Sequence, residues 1–242
     1  MNKKQVIKRA VESLKKLFSE YKGKGVISIY IWGSLLTDDF DLDKSDIDSV
    51  AIVENDFDPE IGKEMREILS IEKKSGLKLF KINYLFLDEL GGNKPRSMLA
   101  KVIHPNLILQ DFNNWRYVCG KKFSRSDFPR KEWSYERAIN HMINKFDKFQ
   151  LPRVKSGDYS DIMYICKNLF KVCHSVNQIN HGKHIFSYDN LLKYSVKEDK
   201  ELIELLLKIR NKNWSERVFK KELSKIIKHV KKLKKSIKYK VK

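Results

Sequence analysis

Hydrophobic positions recur along this chain in two rhythms. Val6, Ala10, Leu14, Leu17 and Tyr21 return every three or four residues, which predicts an amphipathic helix over 3–21, closed by Gly23 and Gly25. Two compact apolar runs follow, one over 26–32 and one over 47–53, each flanked by turn-forming residues; both predict strands. Pro59 suits the first turn of a helix carrying Ile61, Met65, Ile68 and Leu69 and ending near Gly76. A third strand is expected over 78–87, and Gly91-Gly92-Asn93 reads as a turn. Residues 97–110 are apolar without a clear period and are interrupted by Pro105. Helix alternates with strand, so the first half predicts an α/β sheet.

The texture changes near Pro129, after which only the helical rhythm continues. One helix is expected over 133–149. A second carries Ile162, Ile165, Cys166, Leu169, Phe170, Cys173, Val176 and Ile179 and ends near Gly182. A short helix should follow Ser187, a suitable N-cap. Leu202, Leu205, Leu206 and Ile209 mark another, and a long one starts after Ser215 with Phe219, Leu223, Ile226, Val230, Leu233 and Ile237. The expected organisation is an α/β domain over 1–130 and an all-α helical bundle over 131–242.

The junction between the first two strands carries the chemistry. Gly33-Ser34 ends the first strand, and Asp46-Ile47-Asp48 opens the second. On a strand, Asp46 and Asp48 point to the same side and Ile47 to the other. Two neighbouring carboxylates repel unless a cation lies between them, and Mg²⁺ is ordinarily held by one or two carboxylates with phosphate oxygens and water. Gly33 has no Cβ to keep a phosphate from the backbone, and Ser34 adds a hydroxyl donor. Together these groups could hold a nucleoside triphosphate and one or two metal ions. The alternative reading is an ordinary polar loop, since residues 37–48 contain six aspartates.

At these residues the chain resembles the nucleotidyltransferase superfamily that includes DNA polymerase β. The stretch Ile29-Tyr30-Ile31-Trp32-Gly33-Ser34-Leu35-Leu36 with Ser45-Asp46-Ile47-Asp48 is most similar to aminoglycoside adenylyltransferases and minimal nucleotidyltransferases. The resemblance implies a mixed α/β core, Mg²⁺, and transfer of a nucleoside monophosphate from an NTP, ATP first among them, to an acceptor hydroxyl with release of pyrophosphate. It gives Gly33 and Ser34 the nucleotide-binding role, and Asp46 and Asp48 the catalytic metal role. The acceptor would be a small hydroxylated molecule or RNA, with the helical domain shaping its site. Members of the superfamily usually carry a third carboxylate on a later strand. The matching position here is Asn83, which cannot take a proton, and Asp88 and Glu89 lie just beyond it. A catalytically weakened relative, acting as an antitoxin-like or nucleic-acid-binding module, is the alternative.

Composition changes this picture little. The chain has 242 residues, 41% of them hydrophobic, with 13 Phe and 10 Tyr, which suffices for a real core. Apolar stretches are too short to span a bilayer, so no membrane partner is expected. The opening Met-Asn-Lys-Lys-Gln leads into an amphipathic pattern and not an apolar block, and the three cysteines lack metal spacing. A cytoplasmic protein with free thiols is expected; oligomeric state is left open. The formal charge of +19 suits a polyanion partner, and eleven of the lysines fall between 220 and 242. That helix reads either as a solvated face or as a polyanion contact.

Overall fold

A computed structural model of the chain describes residues 2–240 except 38, 41, 43, 44, 73–79, 132, 183–186 and 196. The chain forms two compact units, residues 1–132 and 133–242.

The first unit opens with helix α1 (Lys3–Tyr21). Asn2 and Gln5 cap it reciprocally, the Asn2 side chain accepting from Gln5 N and the Gln5 side chain accepting from Asn2 N. Strand β1 (Val26–Trp32) follows, then β2 (Ile47–Val53), helix α2 (Pro59–Glu72) and strand β3 (Phe80–Phe86). Three short helices, α3 (Leu87–Gly91), α4 (Met98–Val102) and α5 (Pro105–Gln110), lead to strand β4 (Arg116–Gly120). The strands lie in the order β3-β2-β1-β4, so β3 and β4 are the edges. β1 runs antiparallel to β2 and β4, whereas β2 and β3 are parallel and need α2 as their crossover. This is the mixed sheet expected for the α/β core; β4 is an addition to the sequence reading.

Alternation along the strands sends side chains into two cores. Ile47, Ala51 and Val53 of β2, with Phe80, Ile82 and Phe86 of β3, pack beneath α1 and α2 against Leu14, Leu17, Met65 and Leu69. Val50 and Ile52 face the other way, with Tyr30 and Leu85, into a core closed by Leu90, Leu99, Ile108, Leu109, Phe112, Phe123 and Phe128. Asp48, two residues before Val50, therefore belongs to this second face.

The second unit is all helix and turn among the described residues: α6 (Tyr135–Lys145), a π-helical turn (Phe146–Gln150), α7 (Leu151–Lys155), α8 (Ile162–His181), α9 (Tyr188–Lys193), α10 (Lys197–Asn211) and α11 (Glu216–Lys240). Ser134 and Ser187 cap α6 and α9, accepting from Arg137 N and Asn190 N. Gly182, with φ of +62°, stops α8. α8 packs on α6 and α10, and α11 on α10 and α6. Their buried stripes include Ile139, Ile143, Leu169, Phe170, Leu202, Leu206, Phe219, Ile226 and Val230. Several lysines of α11 are engaged in ion pairs: Lys220 with Glu216, Lys225 with the buried Glu222, and Lys234 with Asp147. No described helix is long and apolar enough to cross a membrane.

All three cysteines are free thiols. Burial pushes Cys119 up to about 11, with Lys15 opposing it, and Cys166 up to about 12; burial and then Asp199 raise Cys173 well above the ordinary thiol range. The thiolate is the nucleophile, so these groups should be inert. Iodoacetamide at neutral pH is expected to leave Cys166 and Cys173 unmodified in the folded protein and to alkylate all three after unfolding. Mass spectrometry of the tryptic peptides would check this, and labelling of Cys173 in the native state would contradict the packing of α8.

Candidate active site

The sheet gathers the sequence motifs at one end. The antiparallel register pairs Trp32 with Asp48, so the chain leaves β1 beside the start of β2. It leaves through a tight turn, Gly33–Leu36, with Gly33 at φ of +78°. A side chain at this φ would be strained. It would also crowd the site, because a Cβ on Gly33 would sit 3.2 Å from Asp48 Oδ2 and the carboxylate would have to give way by a few tenths of an ångström. The turn is braced by Ser34, whose carbonyl accepts from Thr37 N at 3.0 Å and from Thr37 Oγ1 at 3.1 Å. Lys3 Nζ donates to Thr37 O at 2.6 Å, tying the loop to α1.

Asp46 comes just before β2 and Asp48 is its second residue. The parallel register sets Asp48 opposite Lys81 on β3 and Val50 opposite Asn83. Opposed residues point to the same face, so Asp48, Lys81 and Asn83 share one side of the sheet. The Lys81 ammonium reaches Asp46 Oδ2 at 2.5 Å, which brings the Asp46 carboxylate to that side as well. The pair is half-buried, with 40% of the lysine side chain and 35% of the aspartate side chain exposed. Ser49, on the reverse face, fixes the two strands here by donating to Lys81 O at 2.8 Å. The place on β3 beside Asp48 is thus held by a lysine, with Asn83 one pair further along, opposite Val50. Sequence reasoning missed Lys81; the charge opposite to its neighbours was the only signal, and the register needed to use it is not in the sequence.

Asp88 and Glu89 have structural employment. They begin α3, past the other end of β3 from Lys81. Glu89 is buried, and its carboxylate accepts from Phe86 N at 3.0 Å, from Ser97 N at 2.6 Å and from Arg96 N. Asp88 accepts from Asn93 and Arg96; burial opposes ionisation, but these hydrogen bonds win and its carboxyl is held below the usual range. Beside the aspartates, Trp32 lies against Trp115 at 5.5 Å between ring centroids and gives the site an aromatic flank.

The donor set suits a hard divalent cation. Asp48 shares one face of the sheet with Lys81, which holds the Asp46 carboxylate, next to a turn whose glycine leaves Asp48 Oδ2 uncovered by any Cβ. Among the described residues no group of three or more His, Cys, Asp and Glu side chains gathers. A Mg²⁺ ion that shares its shell with nucleotide phosphates does not call for one, since one or two carboxylates suffice.

No family model matches the sequence, and no curated protein matches it. The fold does match a solved structure: spectinomycin adenyltransferase AAD(9) from Enterococcus faecialis, determined with ATP and spectinomycin. The two are 14% identical, and the superposition covers 95% of this chain and 98% of that one with a TM-score of 0.59. Over almost its whole length, this chain has the fold of that nucleotidyltransferase.

Proposed function

We propose that this chain is a nucleotidyltransferase that moves a nucleoside monophosphate from an NTP, ATP first among them, to a hydroxyl of a small acceptor, releasing pyrophosphate. The observation that carries the reading is the Gly33 turn packed against Asp48, on a fold shared with an enzyme whose structure holds ATP and spectinomycin. Asp46 and Asp48 would supply hard oxygen ligands. Gly33 lets a phosphate approach the backbone, and Ser34 offers it a hydroxyl donor. Bound Mg²⁺, one ion or two, would stabilise charge on the phosphoryl oxygens during an in-line displacement. Asn83 can hydrogen-bond an acceptor hydroxyl but cannot take its proton. A small acceptor is favoured over RNA because the enzyme that shares the fold was determined with spectinomycin, a small molecule, beside its ATP.

The test is incubation of the full chain with α-labelled NTPs and a panel of hydroxylated acceptors, with and without Mg²⁺. Label should move to an acceptor only in the presence of Mg²⁺, with pyrophosphate released. Absence of transfer from every NTP would sink the enzymatic reading. A second reading, a nucleotide- or nucleic-acid-binding relative without turnover, is favoured by the Lys81–Asp46 ion pair. It predicts NTP or nucleic-acid binding without transfer of label.

A further inference from the structure

We infer that Lys81 is a resident counter-ion of the carboxylate pair, one that must yield Asp46 before a divalent metal can bind, so that the free protein takes metal weakly and takes it together with the nucleotide. The inference rests on the metal-binding reading of Asp46 and Asp48. Three observations support it. First, the Lys81 backbone is fixed: it pairs with Asp48, Ser49 Oγ donates to its carbonyl, and its neighbours Phe80 and Ile82 are buried on the reverse face. Second, its ammonium is 2.5 Å from Asp46 Oδ2, within the space a metal ion bound to that oxygen would need. An ammonium and a divalent ion repel strongly at such separations, so they cannot share the oxygen. Third, the pair is half-exposed, so the four-carbon stem can carry the charge away into solvent without burying it unpaired.

The consequence is a coupling between metal and nucleotide. For a lone metal ion, eviction of Lys81 offsets much of the gain from ligation. A nucleotide-bound ion brings phosphate oxygens of its own, and these also give the displaced ammonium an anionic partner. Each ligand therefore strengthens the binding of the other, by the same factor in both directions. Lys81 acts here as a positioning residue, through Asp46.

The experiment measures Mn²⁺ binding by the electron paramagnetic resonance signal of the free ion, with and without α,β-methylene-ATP. Wild type, Lys81→Gln, Lys81→Arg and the double variant Lys81→Gln/Asp46→Asn are compared. A half-exposed ion pair contributes little to stability, so all four should fold, and thermal melting verifies this. Lys81→Gln is expected to bind Mn²⁺ about tenfold more tightly than wild type without nucleotide. The analogue should then improve its affinity less than it improves that of wild type. Lys81→Arg should stay weak, and the double variant should lose the gain. Equal Mn²⁺ affinity in wild type and Lys81→Gln would overturn the role of Lys81 and leave the nucleotidyltransferase reading standing. Failure of every variant to bind Mn²⁺, with or without the analogue, would overturn both.

Discussion

Asp48→Asn is expected to lower NTP-dependent transfer by about 10³-fold or more while leaving the fold intact. The substitution keeps the shape of the side chain and its place opposite Trp32 and Lys81, and removes the negative charge. A neutral amide oxygen is a far poorer ligand for a hard dication than a carboxylate, so the metal and the triphosphate it carries would be lost together. Asp46→Asn should follow the same direction. Steady-state assay with labelled NTP, beside circular dichroism of the variant, checks the claim. Retained turnover in a folded Asp48→Asn protein would place the chemistry elsewhere in the chain.

Gly120→Ala is expected to destabilise the protein by about 3 kcal/mol or more. Gly120 lies opposite Ser28 at the end of the edge strand β4, with φ of +89°. An alanine there adopts an unfavourable left-handed backbone, and its Cβ would overlap the Ile27 carbonyl oxygen and come within 2.7 Å of Ser28 Cα. Both obstacles are backbone atoms of β1, so no side chain can swing aside. Relief requires β4 to withdraw, which strains the Lys121 N to Ile27 O hydrogen bond of 3.0 Å. Urea unfolding should show a lower midpoint with the slope unchanged. A shift below about 1 kcal/mol would mean that the β1–β4 pairing yields at little cost.

Where packing follows a simple period, the fold was readable from the sequence. β1 and β2 are runs in which almost every residue is buried, and the stripes of α1, α8 and α11 repeat over many turns, so burial wrote them plainly. β4 was hidden because Arg116–Gly120 is a five-residue edge strand with Val118 as its one fully buried position. Such a strand offers no two-residue alternation to count. The helices α3, α4 and α5 are each one or two turns long, too short for a stripe, and Pro105 marks a helix start where it read as an interruption. In the candidate site, the nearness of Gly33 to Asp48 was legible because the spacing of a turn between two adjacent strands implies it. The neighbour of Asp48 on β3 was not, since Lys81 and Asn83 lie on the same face and only the inter-strand register distinguishes them. The resemblance pointed to Asn83, which the pairing sets on the Asp48 face opposite Val50, with Lys81 directly beside Asp48.

The parallel pairing of β2 with β3 also has a consequence for how the site is born. The Gly33 turn and Asp48 belong to adjacent antiparallel strands, so their meeting closes only a short stretch of chain. The Lys81–Asp46 contact spans 35 residues and requires the α2 crossover to have docked first. Closing the longer loop costs more entropy before any contact repays it. The Gly33–Asp48 half of the site is thus expected to form within an early, local folding unit, with Lys81 joining it later. In native-state hydrogen exchange, amides of β3 should open before those of β1, exposing the two aspartates to a cation-free, lysine-free state on the way to unfolding.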